Sequence, residues 1–208
     1  FPSAQAMKDA LINVHRARTG VLTGKFLSLA PTGTSAVEAA PAGEVTPIWD
    51  YKCEDELRSS PVVHHSVVYI GAYDNNLYAI TAADGKLLWK YATDGGLPGS
   101  PAVHEDVILI GSEDKRLHAV SVRSGRVQWT YYTEAPVRST PRVAEGHIFI
   151  GSDDNYLHAV NAGTGRRAWR AQAVDAVRCR PAVSNELIFF GCESGEFYAI
   201  DFSGEQKW

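Results

Sequence analysis

The chain contains no run of about 18 apolar residues, which excludes an apolar transmembrane helix. It also has no basic, arginine-rich tract. Lys and Arg number 20 against 24 Asp and Glu, a formal net charge of -4, so no nucleic acid is expected as partner. Cysteine is scarce. Cys53, Cys179 and Cys192 are three in number, far apart and outside any C-x-x-C or zinc spacing, and a reducing compartment is the simpler reading. The nucleophile elbow G-x-S-x-G, the zinc helix H-E-x-x-H and the P-loop are all missing, so no catalytic residue and no metal site is expected. A signal-peptide pattern is missing too. Because the chain opens on Phe1 rather than methionine, it is expected to be a piece of a longer protein.

What is present is an internal repeat. Pro61, Pro101, Pro141 and Pro181 stand 40 residues apart, as do Gly71, Gly111, Gly151 and Gly191. Ala79, Ala119, Ala159 and Ala199 keep the same interval of 40, and so do Trp49, Trp89, Trp129 and Trp169; Trp208 comes one residue early. Each unit reads as four short strands. The first begins at Ser60, Ser100, Thr140 or Arg180 with its following proline, which suits the first residue of a strand because proline cannot donate to the ladder. The second strand is predicted over residues 67–70, 107–110, 147–150 and 187–190, and the third over 77–80, 117–120, 157–160 and 197–200. The fourth carries the tryptophan. Gly85, Gly125, Gly165 and Gly204 mark the turn before it, where positive φ is needed.

Helical repeats have similar lengths. Here, however, the apolar runs are short, rich in Val, Ile, Tyr and Phe, and broken by turn chemistry every 8–12 residues. A four-stranded unit of this size is a propeller blade. The expected fold is all-β: an arc of four-stranded blades over residues 48–208, with a second strand apolar on both sides because a neighbouring blade covers each face. One buried indole per blade removes roughly 200 Å² from water, an upper bound of about 5 kcal/mol, and would staple each blade to the next. Seven or eight such blades would need about 280–320 residues. Either the ring is cut, leaving an arc with two raw edges, or the chain is an unusually small propeller.

The Gly-His and Trp-Asp signature of WD40 propellers is missing. Ser/Thr-Pro at the first strand, G-x-x-[DS]-x-x-[LF]-[YH]-A-[IV] in the middle and G-x-x-x-W at the end resemble the PQQ-like repeat, which also builds outer-membrane assembly propellers of the BamB type. The resemblance implies the propeller fold and an innermost first strand. In the quinoprotein enzymes of this group an Asp lies two places after the Ala and a Lys follows the Gly. Here those places hold Thr81, Ser121, Asn161 and Asp201, then Lys86, Arg126, Arg166 and Glu205. Those enzymes also need an adjacent cysteine pair, which this chain does not have. No cofactor is therefore expected, pyrroloquinoline quinone included.

Residues 1–47 do not carry the repeat. Residues 1–16 read as a helix, with Ser3 as N-cap and Met7, Ala10, Leu11 and Val14 on one face. Residues 17–47, rich in Gly, Ala, Pro, Ser and Thr, read as a linker. The segment FPSAQAMKDAL is similar to the end of the last C-lobe helix of bacterial serine/threonine protein kinases, of the type R-[FY]-x-[ST]-A-x-x-[ML]-x-x-[AL]-L. Kinases with C-terminal PQQ-like propellers are a known arrangement. This resemblance implies a sensing or docking module on the cytoplasmic side. Two alternatives stay open: a BamB-like scaffold in the periplasm, and a fragment of a quinoprotein oxidoreductase.

Most chemistry-bearing side chains fall into structural slots of the repeat. His64, His65 and His104 read as solvated turn residues, and His118 and His158 stand where other copies have Tyr78 and Tyr198. Asp153 and Asp154 read as freely varying turn positions. Cys179 and Cys192 occupy small-residue slots. One register differs. Arg58, Arg138 and Arg178 precede the first strand, with Pro98 in the remaining copy, and Arg180 lies close by. Converging guanidinium groups at the funnel mouth would make an anion site by bidentate pairing, and a small anionic ligand or a protein partner is expected at the funnel or rim. Alternatively they pair with Glu54, Asp55, Glu134 or Asp175 of the same loops as solvated ion pairs of little worth.

Overall fold

The computed structural model describes residues 46–208. The helix expected over 1–16 and the linker expected over 17–47 lie outside the described residues, apart from Thr46 and Pro47. From Thr46 onward the chain forms one compact unit.

That unit is built from four antiparallel sheets in chain order. The first holds β1 (Val62–His64), β2 (Val67–Gly71), β3 (Asn76–Thr81) and β4 (Leu87–Ala92). The second holds β5 (Ala102–His104), β6 (Val107–Ser112), β7 (Arg116–Ser121) and β8 (Val127–Tyr132). The third holds β9 (Arg142–Ala144), β10 (His147–Gly151), β11 (Tyr156–Asn161) and β12 (Arg167–Gln172). The fourth has β13 (Ala182–Ser184), β14 (Leu187–Gly191) and β15 (Phe197–Asp201). In place of a fourth strand it has a single bridge from Ile200 to Gln206. Strands follow one another within each sheet without crossover, the up-and-down order of a propeller blade. The predicted second and third strands lie within the observed ones.

β1 neighbours β5, and β5 neighbours β9, so the short first strands line the inside. β4, β8 and β12 are the most exposed and form the outer edge. The middle strands are buried on both faces, as expected of a sheet covered on each side by another. Between the first two sheets, Tyr69, Leu77, Ala79 and Leu97 meet Ile108, Ile110 and Val120. The same positions recur 40 residues on, where Leu109, Leu117 and Ala119 meet Ile148, Ile150 and Val160, and again between the third and fourth sheets.

The fixed residues of the repeat have local reasons. Ala79, Ala119 and Ala159 stand directly opposite Trp89, Trp129 and Trp169 across the ladder, and a bulge follows each pair. A small side chain opposite the indole leaves it room to lie over the neighbouring blade. There the Trp49, Trp89 and Trp169 Nε1–H groups donate to the carbonyls of Ala82, Val122 and Phe202 at 2.8–3.1 Å, each 33 residues ahead. At the end of the second strand, a Cβ on Gly151 would stand 2.3 Å from the Val177 carbonyl oxygen, so only glycine lets the next blade's loop approach.

The outward face of the fourth sheet differs from the others. Leu77, Leu117 and Leu157 are fully buried by the following blade, whereas the equivalent Phe197 is 57% exposed. It clusters with Phe189 and with Trp208, which is 59% exposed.

Candidate functional site: the charged rim and the inner channel

Two regions gather chemistry. The first is the rim where the loops leading into the inner strands meet the β2–β3 type turns. Arg58 donates from Nε and Nη2 to Glu56 at 3.1 and 2.9 Å, and its guanidinium lies 4.7 Å from the centre of the Tyr73 ring. Arg138 bridges Glu113 at 2.9 Å and Asp153 at 3.0 Å. Arg178 grips Asp153 with two donors, at 2.8 and 3.1 Å, and reaches Glu193 at 3.3 Å.

Arg138 and Arg178 are thus brought together on one carboxylate, while Arg58 stands apart with its own partner. The carboxylates that serve them are not Glu54, Asp55, Glu134 and Asp175. Glu54 and Glu134 instead hold Lys90 and Arg170 of the outer strands. Turn residues of two adjacent blades reach Arg138 and Arg178, whose loops lie between two such turns. The Asp153 hydrogen bond holds the Arg178 guanidinium above its ordinary pKa.

The second region is the channel along the inner strands, a cleft of ≈ 560 Å³. Its wall carries a hydroxyl ladder. The Ser60 N–H donates to Ser100 Oγ at 2.8 Å, and the Ser100 N–H donates to Thr140 Oγ1 at 3.0 Å, each step 40 residues long. Arg180 occupies the next position of this ladder and lines the channel with Arg142. Arg180 therefore belongs to the channel, not to the rim cluster with Arg58, Arg138 and Arg178.

Between blades lie buried polar relays that reading Asp154 as a turn position and His158 as an aromatic strand slot missed. Tyr91 Oη lies 3.0 Å from His118 Nδ1, and His118 Nε2 lies 3.0 Å from Asp114. One blade on, Tyr131, His158 and Asp154 repeat the arrangement at 2.9 and 3.1 Å. Burial raises the Asp114 and Asp154 carboxyls. Hydrogen bonds from the histidines and from the Asp94 and Glu134 N–H groups outweigh it and hold both below the ordinary range. An ionised carboxylate only accepts, so Nε2–H donates to it, and in the neutral imidazole Nδ1 is left to accept from the tyrosine. In the first blade Tyr78 donates straight to Asp74 at 2.6 Å. In the fourth, Ser194 replaces the aspartate and Tyr198 accepts from the Val174 N–H.

The histidines expected in turns are placed differently. His64 and His104 end the inner strands β1 and β5, and only His65 lies in a turn, at φ 47°. The cysteines are free. Cys179 Sγ bonds the Gly191 backbone at 3.2 and 3.4 Å, taking the part that Ser139 Oγ plays at Gly151. Among the described residues no three His, Cys, Asp or Glu side chains are placed to share a metal ion.

Comparisons with known proteins agree on the architecture. The sequence model of the family described as outer membrane protein assembly factor BamB matches residues 13–131 and 94–208. No curated protein matches the chain. Among solved structures, BamB from Moraxella catarrhalis superposes with a TM-score of 0.70 at 19% identity, over 77% of this chain and 50% of that one. The computationally designed Ika4 protein gives 0.65 at 11% identity, over 72% of this chain and 93% of its own. The designed Ika8 protein gives 0.63 at 11% identity, over 70% and 46%. The matched part therefore spans half the length of the BamB structure. At these identities the likeness is one of fold.

Proposed function

Since this chain belongs to the family of outer membrane protein assembly factor BamB, we propose that it is a non-catalytic binding platform. It would dock a protein or a small anionic ligand at its rim and channel. The observation that carries this reading is the contrast between framework and lining. The residues that build each blade repeat with a period of 40, while the rim and channel positions change from copy to copy, as in Arg58, Pro98, Arg138 and Arg178. A repeat scaffold that varies its lining presents a surface rather than a reaction centre.

The finer reading is a sensor or docking module at the C-terminal end of a cytoplasmic serine/threonine protein kinase. The similarity of FPSAQAMKDAL to a kinase C-lobe helix supports it. Binding at the propeller would bias the kinase through residues 17–47. The reading frame upstream of Phe1 tests this. A kinase domain with His-Arg-Asp and Asp-Phe-Gly motifs is the expected result; a secretion signal or lipid-attachment box would replace it with the scaffold reading. That second reading, a periplasmic scaffold for protein assembly, is favoured by the family match. Should the kinase domain be there, deleting residues 48–208 is expected to change its autophosphorylation rate several-fold, and an unchanged rate would count against a sensor.

A further inference from the structure

We propose that the channel wall shared by the third and fourth blades binds one oxyanion group, a phosphate or carboxylate carried by a small molecule. Arg142, Arg180 and the Thr140 N–H would be its donors. The proposal rests on the binding-platform reading and is independent of the kinase connection.

Three observations converge. First, the hydroxyl ladder has a donor left over. Ser60 and Ser100 each find a hydroxyl acceptor 40 residues ahead. In the same register the residue 40 places ahead of Thr140 is Arg180, and a guanidinium has no acceptor to offer. Second, Arg142 stands where the other copies have Val62, Ala102 and Ala182. Its Nε is buried and has no hydrogen-bond partner. A buried unpaired donor of a charged group is costly, and an acceptor supplied by a ligand would remove that cost. Third, Arg142 and Arg180 line the same small pocket, with Pro181, Ala182 and Val183 completing it.

Neither arginine belongs to any ion pair of the described residues. This sets them apart from Arg58, Arg138 and Arg178, whose guanidinium groups are each held by a carboxylate. Two uncompensated guanidiniums beside a free N–H form an all-donor cradle, which an oxyanion matches and a cation or neutral amide does not. The hydroxyls of Ser60, Ser100 and Thr140 and the flanking prolines, alanines and valines give the rest of a small molecule mixed polar and apolar contact along the channel.

The test is calorimetric titration of the 208-residue chain with inorganic phosphate and, separately, with succinate, at constant ionic strength set by chloride. Saturable binding of at least one anion is expected, and the arm that responds identifies the group as phosphate or carboxylate. Arg180→Ser and Arg142→Ala each install the kind of residue that other copies carry at that position, so the blade fold is retained, which circular dichroism verifies. Each is expected to weaken binding at least tenfold. Absence of saturable binding in both arms overturns the proposal. So does binding that either variant leaves unchanged, because the anion would then sit elsewhere. A failed titration alongside a propeller-dependent change in kinase rate would remove this site and leave the binding-platform reading standing.

Discussion

The indole of Trp129 fills the space above Gly165 of the next blade so closely that a Cβ there would stand 2.6 Å from both Cδ2 and Cε3. Gly165 also has φ +67°, a conformation that costs an L-residue about 1–2 kcal/mol. Gly165→Ala therefore meets two penalties, the backbone strain and an overpacking term of about 1–3 kcal/mol. Gly146 offers the control, because it has φ +70° and nothing within 4 Å of an added Cβ. Urea unfolding is expected to show Gly146→Ala losing only the strain and Gly165→Ala losing about 1–3 kcal/mol more. Equal losses would mean that the indole gives way freely and does not hold the blades together.

The relay of Tyr131, His158 and Asp154 makes stability fall in acid. The native Asp154 carboxyl lies below its ordinary range, and the unfolded one near about 3.9. A depressed native pKa contributes stability that is complete above the unfolded value and is lost as pH falls through the native one. Asp114 adds to the effect with the same sign. Asp154→Asn is expected to cost about 1–3 kcal/mol at neutral pH, since a buried charge-assisted partner of His158 is removed. It is also expected to flatten the loss of stability below about pH 4 relative to the parent. A variant whose urea midpoint declined with acid as steeply as the parent's would refute the assignment.

These relays show why the architecture was legible in the sequence and part of the site was not. Gly, Ala and Trp at a spacing of 40 each have a local steric reason, so periodicity alone revealed the blades. Asp74, Asp114 and Asp154 recur at the same spacing, yet turn chemistry already accounts for an aspartate after Gly-x-x, and the tyrosine that completes the relay through His118 or His158 lies on the outer strand of the preceding blade. Tyr91 and Tyr131 gave the complementary signal, since an outer-strand tyrosine at the blade spacing needs a polar partner for its hydroxyl. The arginines were read by register as one cluster. Pairing across blades depends on the length and direction of each loop, and that divides them into a neutralised rim and a channel pair. Arg142 had a sequence signal of its own, as a charged residue in a slot of small apolar ones.

The turns joining the inner strand to the second strand carry a repairable strain. In the fourth blade Asn185 and Glu186 have φ values of 50° and 64°, and in the third the equivalent pair is Glu145 at 48° and Gly146 at 70°. Two successive positive φ values make a type I′ turn, whose second position favours glycine. Glu186→Gly is expected to raise stability by about 0.5–1 kcal/mol, somewhat offset by the greater freedom of glycine in the unfolded chain. Thermal melting checks the sign, and a lower melting temperature would show that Glu186 contributes contacts worth more than its strain.

Ser139 joins the loop before the inner strand to the end of the second strand of its own blade. Its hydroxyl accepts from the Gly151 N–H at 2.8 Å and donates to the Gly151 carbonyl at 3.0 Å, and the residue is fully buried. Ser59 makes the same pair of bonds to Gly71, and Cys179 makes them to Gly191 with sulfur. Ser139→Ala leaves two backbone groups unpaired where water does not reach, which is expected to cost about 2–4 kcal/mol, one desolvation penalty for each. Ser139→Cys keeps a donor and an acceptor in the arrangement that the fourth blade already uses. It is expected to recover more than half of the loss, since the thiol bonds more weakly than the hydroxyl but leaves neither group orphaned. If alanine and cysteine are equally destabilising in urea unfolding, the effect comes from side-chain volume and the paired hydrogen bonds contribute nothing. If cysteine recovers stability, the bonds themselves anchor the inner strand, and with it the channel wall on which Thr140 and Arg142 stand.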